Sequence, residues 1–121
     1  MERAKNSAAL RLSHLSLGVS DLEVSERFYR DVLGLPTQRS GDEIEVHWPD
    51  FLLILSSRPP AARGKFHFGF QVASAADVDI WAERLRAGGV NIMSGPFGEG
   101  RERQIYFVDP DNYEIEIYYE A

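Results

Sequence analysis

A short histidine-led pattern occurs twice in this chain, and the repetition constrains the fold more than any other feature. "HLSLGV" begins at His14 and "HFGFQV" at His67, in a chain with three histidines. In each run small or polar residues alternate with apolar ones, the period of a strand with one buried face. Each run leads into an acidic segment of helical periodicity that stops at glycine. "SDLEVSERFYRDVLGL" closes at Gly34 and "SAADVDIWAERLRAGG" at the Gly88-Gly89 pair. Ser20 or Asp21 can cap the first helix, and Ser74 the second.

Three further strands follow each helix. In the first half they fall at Thr37–Ser40, Glu43–Trp48 and Phe51–Ser56, after an opening strand over 10–19 with an irregularity near Ser13. In the second half the opening strand covers Lys65–Ala73, and the others cover Val90–Met93, Gln104–Val108 and Glu114–Tyr119. "SGPFGEGRE" reads as a glycine-rich loop and "DPDN" as a turn. "WPDFLLIL" aligns with "DPDNYEIEI", so Pro49 and Asp50 fall on Pro110 and Asp111. The chain therefore reads as one α+β domain over 10–121, two βαβββ modules in tandem forming a curled mixed-sheet cup. Module one covers about 10–57 and module two about 65–119. A proline-rich connector, "RPPAARGK", spans about 58–64, and a polar, flexible arm covers 1–9. A length of 121 residues with 44% hydrophobic content suits a single core.

Composition excludes several function classes. There is no cysteine, which removes disulfides and thiolate metal sites and fits a reducing cytoplasm. The net charge is −6 with no basic cluster, so nucleic acid is not an expected partner. No stretch approaches the roughly 20 apolar residues of a membrane span. The start, "MERAKNSAAL", has no apolar signal core. A cytoplasmic protein without a membrane partner is expected.

Strand parity then selects a polar face. His14, Ser16 and Gly18 point one way, as do His67, Gly69 and Gln71, Gln104 and Tyr106, and Glu114, Glu116 and Tyr118. The opposite faces are apolar and suited to helix packing. Two imidazoles and one carboxylate, His14, His67 and Glu116, form a three-ligand set for a divalent cation with coordination positions left open. Taken singly, a residue of this kind on a strand is more often an ordinary solvated or hydrogen-bonded residue than a ligand. The joint reading comes from the equivalent places of His14 and His67 in the repeat and their shared parity. The copies differ at the last strand of module one, where "FLLIL" has no polar side chain.

The stretches "LSHLSLGVSDLEVSERFYRDVLGL", "FHFGFQVAS" and "IYFVDPDNYEIEIY" together resemble the vicinal oxygen chelate superfamily. That group includes glyoxalase I, extradiol dioxygenases, fosfomycin-resistance enzymes, methylmalonyl-CoA epimerase and bleomycin-resistance proteins. The resemblance implies paired βαβββ modules around a metal cup, with His14, His67 and Glu116 as metal ligands. It puts Tyr106 at the place of a tyrosine that can hydrogen-bond a substrate oxyanion, as its catalytic residue. It implies a divalent metal cofactor, Fe2+ or Mn2+ favoured and Zn2+, Ni2+ or Co2+ open. It also implies a small substrate with vicinal oxygens, for which Ser16, Gln71, Arg103 and Tyr118 are the binding candidates. Single-chain members commonly build each cup from two subunits, so a homodimer with shared metal sites is expected.

Departures from the family pattern narrow the chemistry. The fourth ligand of glyoxalase I falls on Ile54 or a neighbour, which favours dioxygenase-like or transferase-like chemistry. "SGPFGEGRE" lacks a lysine and the chain ends at Ala121 without a basic tail, so fosfomycin is not the expected substrate. His47 is a further acid/base candidate on a strand whose face stays open. The alternative is a non-enzymatic protein that sequesters an antibiotic or metabolite, with Trp48, Phe97 and Tyr118 as aromatic walls.

Overall fold

Eight strands and two helices follow the expected order twice over, in a computed structural model that describes residues 8–61 and 66–121. Most of the expected arm, and the connector beyond Ala61, lie outside the described residues. Module one comprises β1 (His14–Val19), α1 (Leu22–Arg27), β2 (Thr37–Ser40), β3 (Glu43–Trp48) and β4 (Phe51–Ser57). Module two comprises β5 (His67–Gln71), α2 (Ala75–Ala87), β6 (Ile92–Phe97), β7 (Glu102–Val108) and β8 (Glu114–Glu120). Each module forms a separate four-stranded mixed sheet, ordered β1-β4-β3-β2 and β5-β8-β7-β6. The pairs β1–β4 and β5–β8 are parallel and the rest antiparallel. The cup is thus two open sheets within one chain, with β1 and β5 as edges.

Local chemistry explains the helices. Asp21 caps α1, its carboxylate accepting from the backbone of Glu23 and Val24. The helix widens into a π-helical turn over Phe28–Val32, which buries Phe28 and Tyr29 together. Ser74 caps α2 through the Asp77 amide, and Val78, Ala82 and Leu85 make its buried stripe.

Several strands differ from their expected bounds: β5 is shorter, at His67–Gln71, β4, β7 and β8 are longer by one or two residues, and β1 and β6 depart in ways that bear on the site. β1 begins at His14, and Leu10 and Leu12 before it are exposed. β6 runs to Phe97, through residues that read as loop, because its pairing with β7 shifts register on either side of Ser94. Gly95 absorbs the irregularity at φ +92, where a Cβ would meet the Gln104 carbonyl at 2.8 Å.

One apolar core spans both modules. Leu17, Ile44, Leu53 and Leu55 of sheet one share it with Ile105, Phe107, Ile115 and Ile117 of sheet two. Phe28 crosses between the modules to Phe107, ring centroids 6.4 Å apart. Polar ties fix the same junction: Ser20 Oγ donates to Asp111 at 2.6 Å and Tyr113 Oη to the Gly18 carbonyl at 2.7 Å. Gly18 permits the connector to pass, since a Cβ there would lie 2.5 Å from the Pro59 carbonyl oxygen. Among the described residues no helix is long and apolar enough to cross a membrane.

Candidate metal centre

The faces turned away from the core carry the polar residues. Register assigns them row by row, because directly paired residues on adjacent strands point to the same side. In sheet two, His67 pairs with Glu114, which pairs with Val108. The next row is Gly69, Glu116, Tyr106 and Ser94. The third is Gln71, Tyr118, Gln104 and Phe97.

Three of the expected site residues meet on this face. His67 Nε2 lies 3.8 Å from Glu116 Oε1. Tyr106 Oη donates to the other carboxylate oxygen, Oε2, at 3.1 Å. The His67 and Tyr106 rings stand edge to face at 6.0 Å, and Phe97 stacks on Tyr106 at 6.1 Å. Partial burial, with the Glu116 charge beside it, raises the Tyr106 phenol above its ordinary range, so it stays protonated and donates. Gly69 keeps the row open: a Cβ there would touch Glu116 and the Tyr118 ring at 3.4 Å.

This pair fits a metal. Nitrogen and carboxylate donors sit about 2.0–2.2 Å from a transition-metal ion, so two ligands of one ion stand no more than about 4.3 Å apart. The 3.8 Å separation lies inside that limit. The half-exposed imidazole leaves its nitrogen accessible, while the Tyr106 bond orients the carboxylate.

His14 stands apart from the pair. It lies on the corresponding face of sheet one, exposed, with Ser13 Oγ 3.5 Å from its Nδ1. Among the described residues of one chain, no three histidine or acidic side chains gather as a metal cluster. Of the other substrate-contact candidates, Ser16 lies beside Ile54 on the sheet-one face, and Gln71 lies beside Tyr118 on the sheet-two face. Arg103 does not join them. It shares the face of Ile105 and Phe107, and its guanidinium is held by Asp79 of α2 at 2.8 Å and the Gly98 carbonyl at 2.7 Å.

Register also settles the face of His47. It pairs with Leu52, which pairs with His14, so both imidazoles lie on one face with Leu52 between them. His47 Nε2 contacts Glu45 Oε1 at 3.0 Å. Sequence reasoning passed over Glu45, although the alternation in "EIEVH" carries the signal: Glu43, Glu45 and His47 oppose buried Ile44 and Val46. Ile54 occupies in sheet one the register position of Glu116 in sheet two.

An apolar depression lies elsewhere. A groove of about 690 Å³ opens between the sheets, lined by Leu12, Leu15, Leu53, Phe68, Phe70 and Trp81 among others. None of His14, His67 and Glu116 lines it. Trp48 stacks on Phe70 there, at 5.6 Å.

Comparison with known proteins matches residues 11–117 to the family model described as Glyoxalase/Bleomycin resistance protein/Dioxygenase superfamily. The chain is 33% identical over 116 residues to a manganese-dependent 2,3-dihydroxybiphenyl 1,2-dioxygenase from Geobacillus genomosp. 3. That match takes in 92% of this chain and 37% of the dioxygenase, so the chain spans little more than a third of that relative. It is 32% identical over 114 residues to the glutathione transferase FosA of Serratia marcescens, covering 88% of this chain and 79% of that protein. The fold is similar to the crystal structure of the fosfomycin resistance protein FosX from Listeria monocytogenes. The TM-score is 0.81 at 28% identity, covering 93% of this chain and 95% of that one.

Proposed function

The chain belongs to the glyoxalase/bleomycin resistance protein/dioxygenase superfamily, and on that premise we propose that it is a metal-dependent enzyme acting on a small substrate with neighbouring oxygens. His14, His67 and Glu116 hold one divalent cation, Fe2+ or Mn2+ by preference. The observation that carries this reading is the oriented donor pair, His67 and Glu116 at 3.8 Å with Tyr106 on the free carboxylate oxygen. When bound, the cation supplies Lewis-acid stabilisation to an oxygen that gains negative charge. Tyr106, held protonated, donates a hydrogen bond on the same face. Ser16, Gln71 and Tyr118 contact the substrate around the donors, whereas Arg103 holds the loop through Asp79 and Gly98.

Dioxygenase-like or transferase-like chemistry is favoured over that of glyoxalase I, because Ile54 stands where a fourth ligand would. The manganese-dependent dioxygenase and the transferase FosA among the relatives support this choice. The third ligand comes from a second copy: in a homodimer, His14 of one subunit meets His67 and Glu116 of the other. Two observations favour that arrangement. His14 does not gather with the pair within one chain. The apolar groove, with exposed Leu12 at its rim, offers a second copy surface to bury.

Metal analysis tests the reading. Purified protein dialysed against Mn2+ or Fe2+ is expected to retain one ion per chain. His14→Ala, His67→Ala and Glu116→Ala should each weaken retention more than about a hundredfold, beyond the loss typical of outer-shell changes. Full retention in all of these variants would sink the proposal.

A further inference from the structure

Phe97 faces the metal donors because β6 is irregular. Ser94 pairs with Tyr106, so a regular strand would set Phe97 opposite Arg103, on the face of Ile105 and Phe107. Instead the pairing slips by one residue and Phe97 stands opposite Gln104. A bulge of this kind re-aims a side chain. Phe97 thereby joins the open face of sheet two, in the row of Gln71, Tyr118 and Gln104. Its ring stacks on Tyr106 at 6.1 Å, with 25° between the planes.

The backbone on both sides suits that turn. Gly95 and Gly98 hold φ of +92 and +100, and a Cβ would lie 2.8 Å from the Gln104 carbonyl oxygen in the first and 2.7 Å from that of Glu102 in the second. Directly after Phe97, the Gly98 carbonyl accepts from Arg103 at 2.7 Å, and the same guanidinium is fixed on Asp79 of α2 at 2.8 Å. The strand end that carries Phe97 is thus tied to a helix. One exposed apolar side chain is ordinary on most surfaces. Here a bulge, two left-handed glycines and an ion-paired clamp converge on a ring that stays 43% exposed.

The place beside the donors gives that ring a use. Tyr106, against which it stacks, donates to Glu116 Oε2 at 3.1 Å and stands edge to face with His67 at 6.0 Å. Glu116 and Tyr118 are successive outward residues of β8, about 7 Å apart along the strand. A molecule held by an ion on His67 and Glu116 therefore has the Phe97–Tyr106 wall within one row, on the β6 side, while Gly69 leaves the β5 side low. Stacked rings favour a flat apolar group, which gains both buried area and ring contact.

We propose that Phe97 is a specificity-determining residue, selecting substrates in which a flat apolar group is attached directly to the pair of oxygens that bind the metal, and that Arg103 positions it. The inference deepens the metal-site reading and rests on it.

The test titrates full-length protein loaded with Mn2+ with acetohydroxamate and with benzohydroxamate. The two present the same neighbouring oxygens and differ by a phenyl ring. Binding is followed by water-proton relaxation, which falls as the chelator displaces water from the ion, and Mn2+ content is measured before and after. The quantity read is the ratio of the two affinities, compared between wild type and variant so that the chelators' own affinities for the ion cancel. Phe97→Ala should lower the preference for benzohydroxamate about tenfold and leave acetohydroxamate within about twofold. Phe97→Leu, which keeps apolar bulk without a flat ring, should lower it about threefold. Arg103→Gln should also lower it about threefold, with acetohydroxamate binding and Mn2+ content unchanged. A wild-type ratio in Phe97→Ala with Mn2+ bound overturns the role of Phe97, and Phe97→Leu decides by the same ratio if the alanine variant does not fold. A wild-type ratio in Arg103→Gln overturns the positioning role. A wild-type protein that takes up no Mn2+ defeats the metal-site reading and this inference with it, an outcome separable by metal content alone.

Discussion

The row His67–Glu114–Val108 in module two corresponds to His14–Leu52–His47 in module one, and Gly69–Glu116–Tyr106 corresponds to Ser16–Ile54–Glu45. At each pair the scaffold is the same and the side chain is not. Module two places a carboxylate next to its histidine and a phenol on that carboxylate. Module one replaces the carboxylate by isoleucine and moves its acid and imidazole one strand outward, to β3. A duplicated sheet can therefore divide labour between its copies without altering backbone or core. In the proposed assignment, module two carries two metal donors, and module one carries the third.

The turns before β4 and β8 sharpen the contrast and carry the largest expected effect on stability. Asp109 is buried and accepts from Tyr29 Oη at 2.8 Å and from the amides of Asp111 and Tyr113. The aligned position in module one is Trp48, and the neighbouring Asp50 is exposed. Asp109→Ala should cost about 2–4 kcal/mol, because it strands a buried hydroxyl and two amides. Asp50→Ala should cost less than about 0.5 kcal/mol. Urea unfolding of both variants measures the difference, and equal costs would mean that the turns are equivalent.

A smaller effect is expected at Tyr106. Tyr106→Phe removes the donor that orients Glu116 and should weaken Mn2+ binding about tenfold, in the range of outer-shell changes. The module-one counterpart, Glu45→Gln, should leave Mn2+ affinity within about twofold, as a group that contacts no proposed ligand. Equilibrium dialysis compares the two. Equal losses would erase the division of labour.

The smallest effect concerns pH. Burial, with the Asp109 carboxylate beside it, raises the Tyr29 phenol well above its ordinary 10.0. The native state therefore holds this proton more tightly than the unfolded chain does. Its contribution to stability is complete below about pH 10 and is lost as pH rises beyond it, by up to about 1.4 kcal/mol per pH unit. Tyr29→Phe should be less stable at pH 8 but should lose less on going to pH 11. Parallel pH dependence in the two proteins would count against the buried phenol as the source.

Much of this was legible in the sequence because period-two alternation survives wherever one face is buried. "HLSLGV", "HFGFQV" and "YEIEIY" state their faces directly, and the βαβββ repeat follows from their spacing. β6 was not legible beyond Met93, since Gly95 and Pro96 punctuate a strand that bulges yet keeps its pairing. The face of Arg103 was obscured by the adjoining glycine loop, although Ile105 and Phe107 share its parity. The separation of His14 from His67 and Glu116 depends on how the two sheets pack, which no local pattern encodes.

The shared metal site is tested most directly by mixing two inactive lesions. His14→Ala and Glu116→Ala homodimers should each retain almost no Mn2+. In a mixed dimer with shared cups, one site carries both lesions and the other carries neither, so about half of the wild-type capacity should return. Recovery near one half, measured as Mn2+ per chain in the isolated mixed dimer, is the predicted result. No recovery in the mixed dimer, or a monomeric wild-type protein with full Mn2+ occupancy, would contradict the account.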